Sequence, residues 1–456
     1  MLKRSNLNSR FRNRDNQWRD FQAGLRKQSA RQRAIRRLPA YLLALCLMIL
    51  LTHGLFRVLD TKQTAPETCD LPVAESPCAV TIAMERGDII RQLALVNSTS
   101  DTFGITNGDR DYEVFTSLMP SLQEYIINRI DRKNSLYFGF VIMEPDTGRI
   151  LSMVSHDRHD PDNNVCVKAA FPAASIFKIV SAAAAMETKN YQPHTPMTFN
   201  GNQYTLYKTQ LTRKRNRYST TTTLANAFAK SINPVFGNIG MHDLGRTGLE
   251  TYAEAFGFNF SPQFEICMDQ SRMIIKDEPY NWAEIASGFN RTTMLSAVHG
   301  ALIISVALNE GRWVEPRLID SIRSGNDMIY RGHPNGPNRV IRPETAASLK
   351  KMLEATVKSG TASKTFRGAS RDKILSQLNI GGKTGSINDR PDYSIRYDWF
   401  TGFAEKKDGS QRIAISIIVA HKDFIGTRAA QYARMGIKKY YEIKKHESES
   451  ASSDQT

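Results

Sequence analysis

Residues 137–155 read Tyr137-Phe-Gly-Phe-Val-Ile-Met143, Glu-Pro-Asp-Thr-Gly148 and Arg149-Ile-Leu-Ser-Met-Val-Ser155. Two apolar runs around Pro-Asp-Thr-Gly predict a β-hairpin, because β-branched and aromatic residues favour strands while Pro, Asp and Gly favour turns. Three more strand-like runs follow near the end of the chain, at Leu378–Ile387, Trp399–Ala404 and Arg412–His421. Two early and three late strands predict one mixed domain with a largely antiparallel sheet.

Helical patterns fill much of the remaining chain. Apolar spacing predicts an amphipathic helix from Tyr112 to about Ile130, and a last helix spans Thr427–Ile443. The section from about 172 to 360 is mostly helical in pattern and predicts an inserted all-helical subdomain. The predicted class is therefore α+β, an α/β sandwich with an antiparallel five-stranded sheet flanked by helices. The tail, 446–456, is predicted to be disordered.

The positive charge is concentrated at the start of the chain. Residues 1–37 hold twelve Lys and Arg against two acids, in a chain of 456 residues with a net charge of +16. Residues 38–57 are an apolar run that predicts a single transmembrane helix, preceding the fold as a retained anchor. The positive-inside rule then leaves 1–37 in the cytoplasm and places everything after about residue 58 outside. A cleaved signal peptide is the alternative, disfavoured because the basic region is long and no small-residue cleavage site precedes Arg57.

Residues 58–111 are predicted to be an extracytoplasmic linker or small N-terminal region. Within it, Cys69 and Cys78 are a candidate disulfide, because they are close in sequence and would lie in an oxidising compartment. A nucleic-acid partner is disfavoured, since the basic charge lies on a tail rather than on a folded face. No metal or cofactor is predicted; the segment 156–160, with two His, is interpreted as a solvated loop.

The first candidate for chemistry is Phe171-Pro-Ala-Ala-Ser175-Ile-Phe-Lys178, which opens a helix. Residues three apart share a helix face, so Ser175 and Lys178 are predicted to lie side by side. A serine hydroxyl becomes a good nucleophile when a base takes its proton, and a lysine in a dry site can be that base. Two other Ser-x-x-Lys matches, Ser348–Lys351 and Ser370–Lys373, have polar surroundings and are interpreted as solvated faces.

The second candidate is Lys230-Ser231-Ile-Asn233-Pro234, after an Ala-rich helical run. Pro234 predicts a break in the helix, with Asn233 extended or in a turn. Ser231 and Asn233, two apart on a loop, could then both point into a cleft. An ordinary helix C-cap is the alternative interpretation.

The third candidate is Gly381-Gly-Lys383-Thr384-Gly385-Ser386, embedded in strand-like sequence. Glycines in a strand permit a ligand to approach the backbone closely. Lys383 supplies a cation, and Thr384 and Ser386 supply hydroxyls for an anionic group. The spacing of a phosphate-binding P-loop is absent.

The order of these motifs resembles the penicillin-binding protein and serine β-lactamase superfamily. Ser-x-x-Lys is followed 56 residues later by Ser-x-Asn and 152 residues after that by Lys-Thr-Gly. The resemblance covers roughly 112–445, the predicted transpeptidase domain, and includes Gly360-Thr-Ala362, Ser287-Gly-Phe-Asn-Arg-Thr-Thr293 and Trp399-Phe-Thr-Gly402-Phe403. One departure is Pro-Ala-Ala before Ser175, where the family often has Pro-Gly.

The resemblance implies a peptidoglycan D,D-transpeptidase that forms a serine acyl-enzyme and binds penicillin. Ser175 is then the nucleophile, Lys178 its base and Ser231 the proton relay to the leaving group. The substrate-binding residues implied are Asn233, Lys383, Thr384, Gly385 and Ser386. Backbone N–H groups of Ser175 and Ser386 are implied as the oxyanion hole.

Alternative functions share these motifs. A D,D-carboxypeptidase or β-lactamase differs in how well water enters the acyl-enzyme, and a non-catalytic β-lactam-binding membrane sensor would acylate without turning over peptide. About 55 residues separate the predicted anchor from Tyr112, so a monofunctional protein is expected, without a glycosyltransferase domain or the usual large pedestal. Expected partners are peptidoglycan stem peptides, β-lactams as covalent inhibitors, and cell-wall synthesis machinery.

Overall fold

The described part of the chain contains two main sheets and helices on both sides of the larger one. A computed structural model describes residues 86–334, 338–389 and 394–453. Within them the strands, in chain order, are β1 (Thr102–Asn107), β2 (Arg110–Thr116), β3 (Ser135–Met143), β4 (Ile150–Asp157), β5 (Phe171–Pro172), β6 (Pro196–Asn200), β7 (Ser219–Thr223), β8 (Met294–Leu295), β9 (Ile319–Ser324), β10 (Asp327–Arg331), β11 (Leu378–Asn388), β12 (Arg396–Lys406) and β13 (Ile413–His421). The α-helices are α1 (Pro120–Ile127), α2 (Lys178–Lys189), α3 (Leu224–Ala229), α4 (Asn233–Asn238), α5 (Gly245–Ala255), α6 (Pro279–Ser287), α7 (Ala297–Leu308), α8 (Pro343–Lys358) and α9 (Ala429–Ser453).

The five predicted strands form the larger sheet. Its strand order is β11-β12-β13-β3-β4, and every neighbouring pair is antiparallel. The early hairpin therefore joins the late strands through β3 and β13, where Phe140 lies opposite Ile417. Strand β11 forms one edge of this sheet. The predicted α+β class with a five-stranded antiparallel sheet is confirmed.

Both faces of this sheet are buried, as an α/β sandwich requires. Side chains of β3 alternate between two apolar cores, because successive residues of a strand point to opposite faces. Phe138 and Phe140 pack with α9 residues such as Tyr432, whereas Val141 packs in the core that contains the apolar residues of α2 and α7. The sheet is thus held rigidly between two helical layers.

The helix predicted from Tyr112 to Ile130 is wrong in its first half. Tyr112 and Val114 lie in β2, which pairs with β1 and β9 in a four-stranded sheet ordered β1-β2-β9-β10. Their spacing of two matches a strand, and the Gly108-Asp109 turn between β1 and β2 has the positive φ at Gly108 that hairpins favour. Only the part from Pro120 to Ile127 is helical.

The inserted region is not all-helical either. It carries the β6–β7 hairpin and the β9–β10 hairpin, and it contributes β5 and β8 to a short ladder. Strand β7 reads Ser-Thr-Thr-Thr-Thr, a β-branched run that favours a strand. The prediction missed it because the sequence on either side has a helical pattern.

Helix α9 extends to Ser453, where the sequence predicted a disordered tail from 446. Exposed ion pairs one turn apart, such as Lys445 with Glu449 and Lys444 with Glu447, favour the added turns. Within the described residues, no helix is both long and apolar enough to cross a membrane. The predicted anchor, 38–57, the basic tail and the Cys69–Cys78 pair lie outside the described residues.

Candidate active site

Ser175 lies in a tight turn that leads into helix α2. A 3₁₀ turn, Ala174–Phe177, follows β5, and α2 begins directly at Lys178. This places the Nζ atom of Lys178 at 2.8 Å from the Oγ atom of Ser175. Ala174 has a φ of +48°, in the left-handed region that costs residues with a side chain about 1–2 kcal/mol. A glycine at position 174 would adopt this backbone without that cost.

Lys178 is buried, and its amine has no carboxylate partner among the described residues. Its side chain is 0% exposed, and Nζ also donates to the side-chain oxygen of Asn233 at 2.8 Å and to the carbonyl of Ser287. Burial, together with the positive charge of Lys383, lowers the pKa of Lys178 well below its usual value. The lowered pKa favours the neutral amine, which can accept the proton of Ser175.

Ser231 and Asn233 come from a break between two helices. Helix α3 ends at Ala229, and Ser231 has a φ of +58°. The extended residue is Ile232, whereas the sequence predicted an extended or turn conformation for Asn233. Asn233 instead begins α4, because Pro234 is tolerated in the first helical turn, where its missing N–H would have no partner.

Lys383 reaches the same site from the edge strand β11. Its side chain is 0% exposed, and Nζ donates to Ser231 Oγ at 3.0 Å and to the Thr384 carbonyl at 2.8 Å. Burial lowers the pKa of Lys383 to about 7. Gly385, two residues on, lets the strand pass close to Ser175, because a Cβ there would lie 3.3 Å from the Ala174 Cβ.

The site thus brings together three of the predicted segments. Ser175, Lys178 and Asn233 form one hydrogen-bonded set, and Ser231 with Lys383 forms another. The positive charge of Lys383 helps to lower the pKa of Lys178, so the two hydrogen-bonded sets belong to one site. No group of three His, Cys, Asp or Glu in the described parts of the chain is arranged to hold a metal ion.

Thr384 and Ser386 point to the other face of β11, as strand alternation requires. The hydroxyl of Thr384 hydrogen-bonds that of Thr361, and Ser386 Oγ donates to Asp398 at 2.9 Å. Arg428 holds the Asp398 carboxylate through Nε at 3.0 Å and a second nitrogen at 2.6 Å. A cavity of about 750 Å³ lies on this side, lined by Thr384, Asp398 and Arg428 but not by Ser175 or Lys178.

Sequence reasoning missed several supporting groups. The Ser287 carbonyl is available to Lys178 because α6 ends there, at Gly288. Gly288 has a φ of +64°, and a Cβ on it would lie 1.9 Å from the Ala174 carbonyl oxygen. The Ser-Gly pair was visible in the sequence, but its contact with Ala174 depends on tertiary packing.

Comparison with known proteins shows which family the chain belongs to. The model of the penicillin binding protein transpeptidase domain matches residues 138–438, well over half of the chain. The chain belongs to this family. One relative is the peptidoglycan D,D-transpeptidase PbpA of Mycolicibacterium smegmatis, 24% identical over 316 residues. The match covers 61% of this chain and 61% of that protein, so the chain spans less than two thirds of its relative.

Solved penicillin-binding proteins share the fold. Penicillin-binding protein 3 of Mycobacterium tuberculosis superimposes with a TM-score of 0.60 at 17% identity, covering 73% of this chain and 79% of that one. The penicillin G acyl-enzyme complex of penicillin-binding protein A from the same organism gives a TM-score of 0.55 at 20% identity, covering 71% and 79%. At these identities the likeness establishes the fold.

Proposed function

We propose that the protein is a peptidoglycan D,D-transpeptidase that works through an acyl-enzyme on Ser175. The observation that carries the proposal is the 2.8 Å contact between Ser175 Oγ and the amine of Lys178, which is buried away from any carboxylate partner among the described residues. A neutral buried amine next to a serine is the pairing that nucleophilic catalysis by serine needs.

In the first half-reaction, Ser175 Oγ attacks the carbonyl carbon of the penultimate D-alanine of a stem peptide, and its proton passes to Lys178 Nζ. Backbone N–H groups of Ser175 and Ser386 stabilise the oxyanion, and each such donor is worth about 3 kcal/mol. The peptide C–N bond then breaks, and Ser231 gives a proton to the departing amine of the terminal D-alanine. Ser231 takes the proton held by Lys178 in its place, so Lys178 is neutral again.

Substrate recognition divides among the remaining residues. Asn233 hydrogen-bonds the substrate backbone, and Lys383 provides the positive potential for the terminal carboxylate. Thr384 and Ser386 contribute hydroxyls at the edge of β11, with Gly385 keeping the strand accessible between them. Their present partners, Thr361 and Asp398, are exchanged for the carboxylate or shared with it.

In the second half-reaction, an amine from another peptidoglycan strand attacks the ester carbonyl of the acyl-enzyme. Lys178 accepts the proton that this amine loses, the ester C–O bond breaks, and Lys178 passes the proton to the oxygen of Ser175. The two stem peptides are then joined by a new amide. Water in place of the amine would give the carboxypeptidase reaction. The transpeptidase assignment is favoured because the relative PbpA is named a D,D-transpeptidase.

The proposal includes location and partners. The anchor at 38–57 would hold the protein in the inner membrane, with residues 1–37 in the cytoplasm and the catalytic domain in the periplasm, near other cell-wall synthesis proteins. β-Lactams would act as covalent inhibitors by acylating Ser175, as penicillin G does to the relative in the solved complex.

A product assay separates the candidate functions. The purified chain is given a stem pentapeptide and an acceptor amine, and the products are resolved by mass spectrometry. A cross-linked amide with loss of one D-alanine supports the transpeptidase. Release of D-alanine without cross-links would favour a carboxypeptidase, and penicillin labelling without peptide turnover would favour a sensor.

A further inference from the structure

A basic and aromatic loop lies next to the candidate active site. This basic loop, residues 201–218, joins β6 to β7 and contains five Lys and Arg, three Tyr and no Asp or Glu. The cations are Lys208, Arg213, Lys214, Arg215 and Arg217, and all five residues are exposed. The tyrosines are Tyr204, Tyr207 and Tyr218, at 55%, 63% and 66% exposure. Three large exposed aromatic rings in one loop indicate a surface that meets a partner.

The basic loop is held in a defined shape. Buried Gln210 donates through Nε2 to the carbonyls of Asn200 and Asn202, both at 2.9 Å, and accepts the backbone N–H of Tyr207 at 2.9 Å. Leu206 and Leu211 are buried with Ala283 in a small apolar cluster separate from the main core. A loop fixed this way presents its charges and rings with little loss of conformational entropy on binding.

Most of the positive charge of the basic loop is uncompensated. Arg213 pairs with Asp243 at 2.5 Å. The other four cations have no carboxylate partner among the described residues; Arg217 stacks on the ring of Tyr218 and Lys208 on that of Tyr280. Such a surface attracts a ligand that carries several negative charges.

The basic loop is physically joined to the catalytic groups. The Asn233 backbone N–H donates to the Gln203 carbonyl at 2.7 Å, and its side-chain amide donates to the Tyr204 carbonyl at 2.9 Å. The side-chain oxygen of Asn233 accepts a hydrogen bond from Lys178 Nζ. A polymer whose reactive end lies at Ser175 would therefore run past this surface.

We propose that the basic loop binds the peptidoglycan strand that carries the reacting stem peptide. This inference rests on the proposed function. Its ligand is a glycan with acidic peptides: the Lys and Arg side chains pair with peptide carboxylates, and the exposed faces of Tyr204, Tyr207 and Tyr218 pack against sugar rings. An anionic lipid surface would fit the charge but not the hydrogen-bonded connection to Asn233.

The test uses the full chain and purified insoluble peptidoglycan, with bound protein measured by sedimentation across a range of concentrations. The variant Arg215→Glu with Arg217→Glu reverses two charges at the exposed part of the loop. Its matched control is Lys133→Glu with Lys407→Glu, two exposed lysines outside the site. Thermal unfolding checks that both proteins fold. Vesicles of equal parts phosphatidylglycerol and phosphatidylcholine provide the lipid comparison.

We expect the loop variant to bind peptidoglycan at least about fivefold more weakly than wild type, with the control unchanged and the difference shrinking in high salt. Equal binding of both variants overturns the proposal, and so does a loss confined to vesicles, which would make the loop a membrane contact. Penicillin labelling of the wild type is scored separately. If penicillin does not label the wild type but peptidoglycan binding still depends on the loop, the proposed function is wrong and the loop still binds peptidoglycan.

Discussion

Lys178 and Lys383 are both fully buried in one site, and burial, together with the like charge of Lys383, lowers the pKa of Lys178. Each lysine amine donates hydrogen bonds to hydroxyl, amide or carbonyl oxygens, and to no carboxylate among the described residues. This arrangement is costly for the folded protein and useful for the reaction, since it keeps one amine available as a base while the other supplies positive potential.

Removing the base should abolish most of the acylation. Lys178→Met keeps the volume of the buried side chain but cannot accept a proton, and we expect penicillin acylation to slow about 10²–10⁴-fold. Stopped-flow or gel-based labelling with fluorescent penicillin measures the rate. The control is Lys351→Met, in the exposed Ser348–Lys351 match, which should label at the wild-type rate. Equal slowing in both variants would contradict the assigned role.

The acylation rate should depend on pH through both buried lysines. Below the lowered pKa of Lys178 the amine is protonated and cannot act as a base, so the rate rises with pH through that value. Above about pH 7, Lys383 loses its proton and no longer attracts the carboxylate of the substrate, so the second-order rate falls. The falling limb should disappear in Lys383→Arg, whose guanidinium stays charged. A falling limb that persists in that variant would assign it to another group.

Lys383 should make folding stability depend on pH. Its pKa drops from 10.5 in the unfolded chain to about 7 in the folded one, so between these values the unfolded chain binds the extra proton. The Lys383 contribution to the free energy of unfolding should therefore rise with pH across pH 7–10.5, by about 5 kcal/mol, and be flat below 7. Denaturant unfolding of wild type and Lys383→Met gives the difference, with exposed Lys407→Met as the control for loss of one charge. Parallel curves for wild type and Lys383→Met would refute this.

The sequence predicted the large sheet and the three motifs because both depend on local patterns. The β3–β4 hairpin has turn residues between apolar runs, and Ser175 and Lys178 are three apart at a helix start. The second sheet was missed because Tyr112 and Val114 also fit a helical stripe when read together with Leu118 and Leu122. In so short a segment, apolar residues at every second position also fall at every fourth position, so the strand pattern and the helix pattern coincide.

Other features of the site could not be read from the sequence. The orientation of Thr384 and Ser386 away from Lys383 follows from strand alternation, but their partners Thr361 and Asp398 are set by tertiary packing. The contact between the 201–218 loop and Asn233 joins residues about thirty positions apart with no motif to mark it. Such contacts arise from how helices pack, which residue spacing alone does not encode.

Gly288 should be required for placing the nucleophile. Gly288→Ala brings a Cβ against the Ala174 carbonyl at a backbone φ of +64°, so the turn that carries Ser175 must shift. We expect acylation to fall at least tenfold and stability to fall by about 1–3 kcal/mol. The control is Gly409→Ala, with a φ of +81° and no atom within 4 Å of the added Cβ. It should lose stability from backbone strain but acylate normally; a normal rate in Gly288→Ala would show that the turn tolerates the contact.

The most direct test of Ser175 as a lysine-activated nucleophile is the position of the penicillin adduct. Wild type and Ser175→Ala are each incubated with penicillin, digested and mapped by mass spectrometry. We predict one adduct on the peptide that contains Ser175 in the wild type and none in Ser175→Ala. An adduct on another residue, or undiminished labelling of Ser175→Ala, would contradict the account.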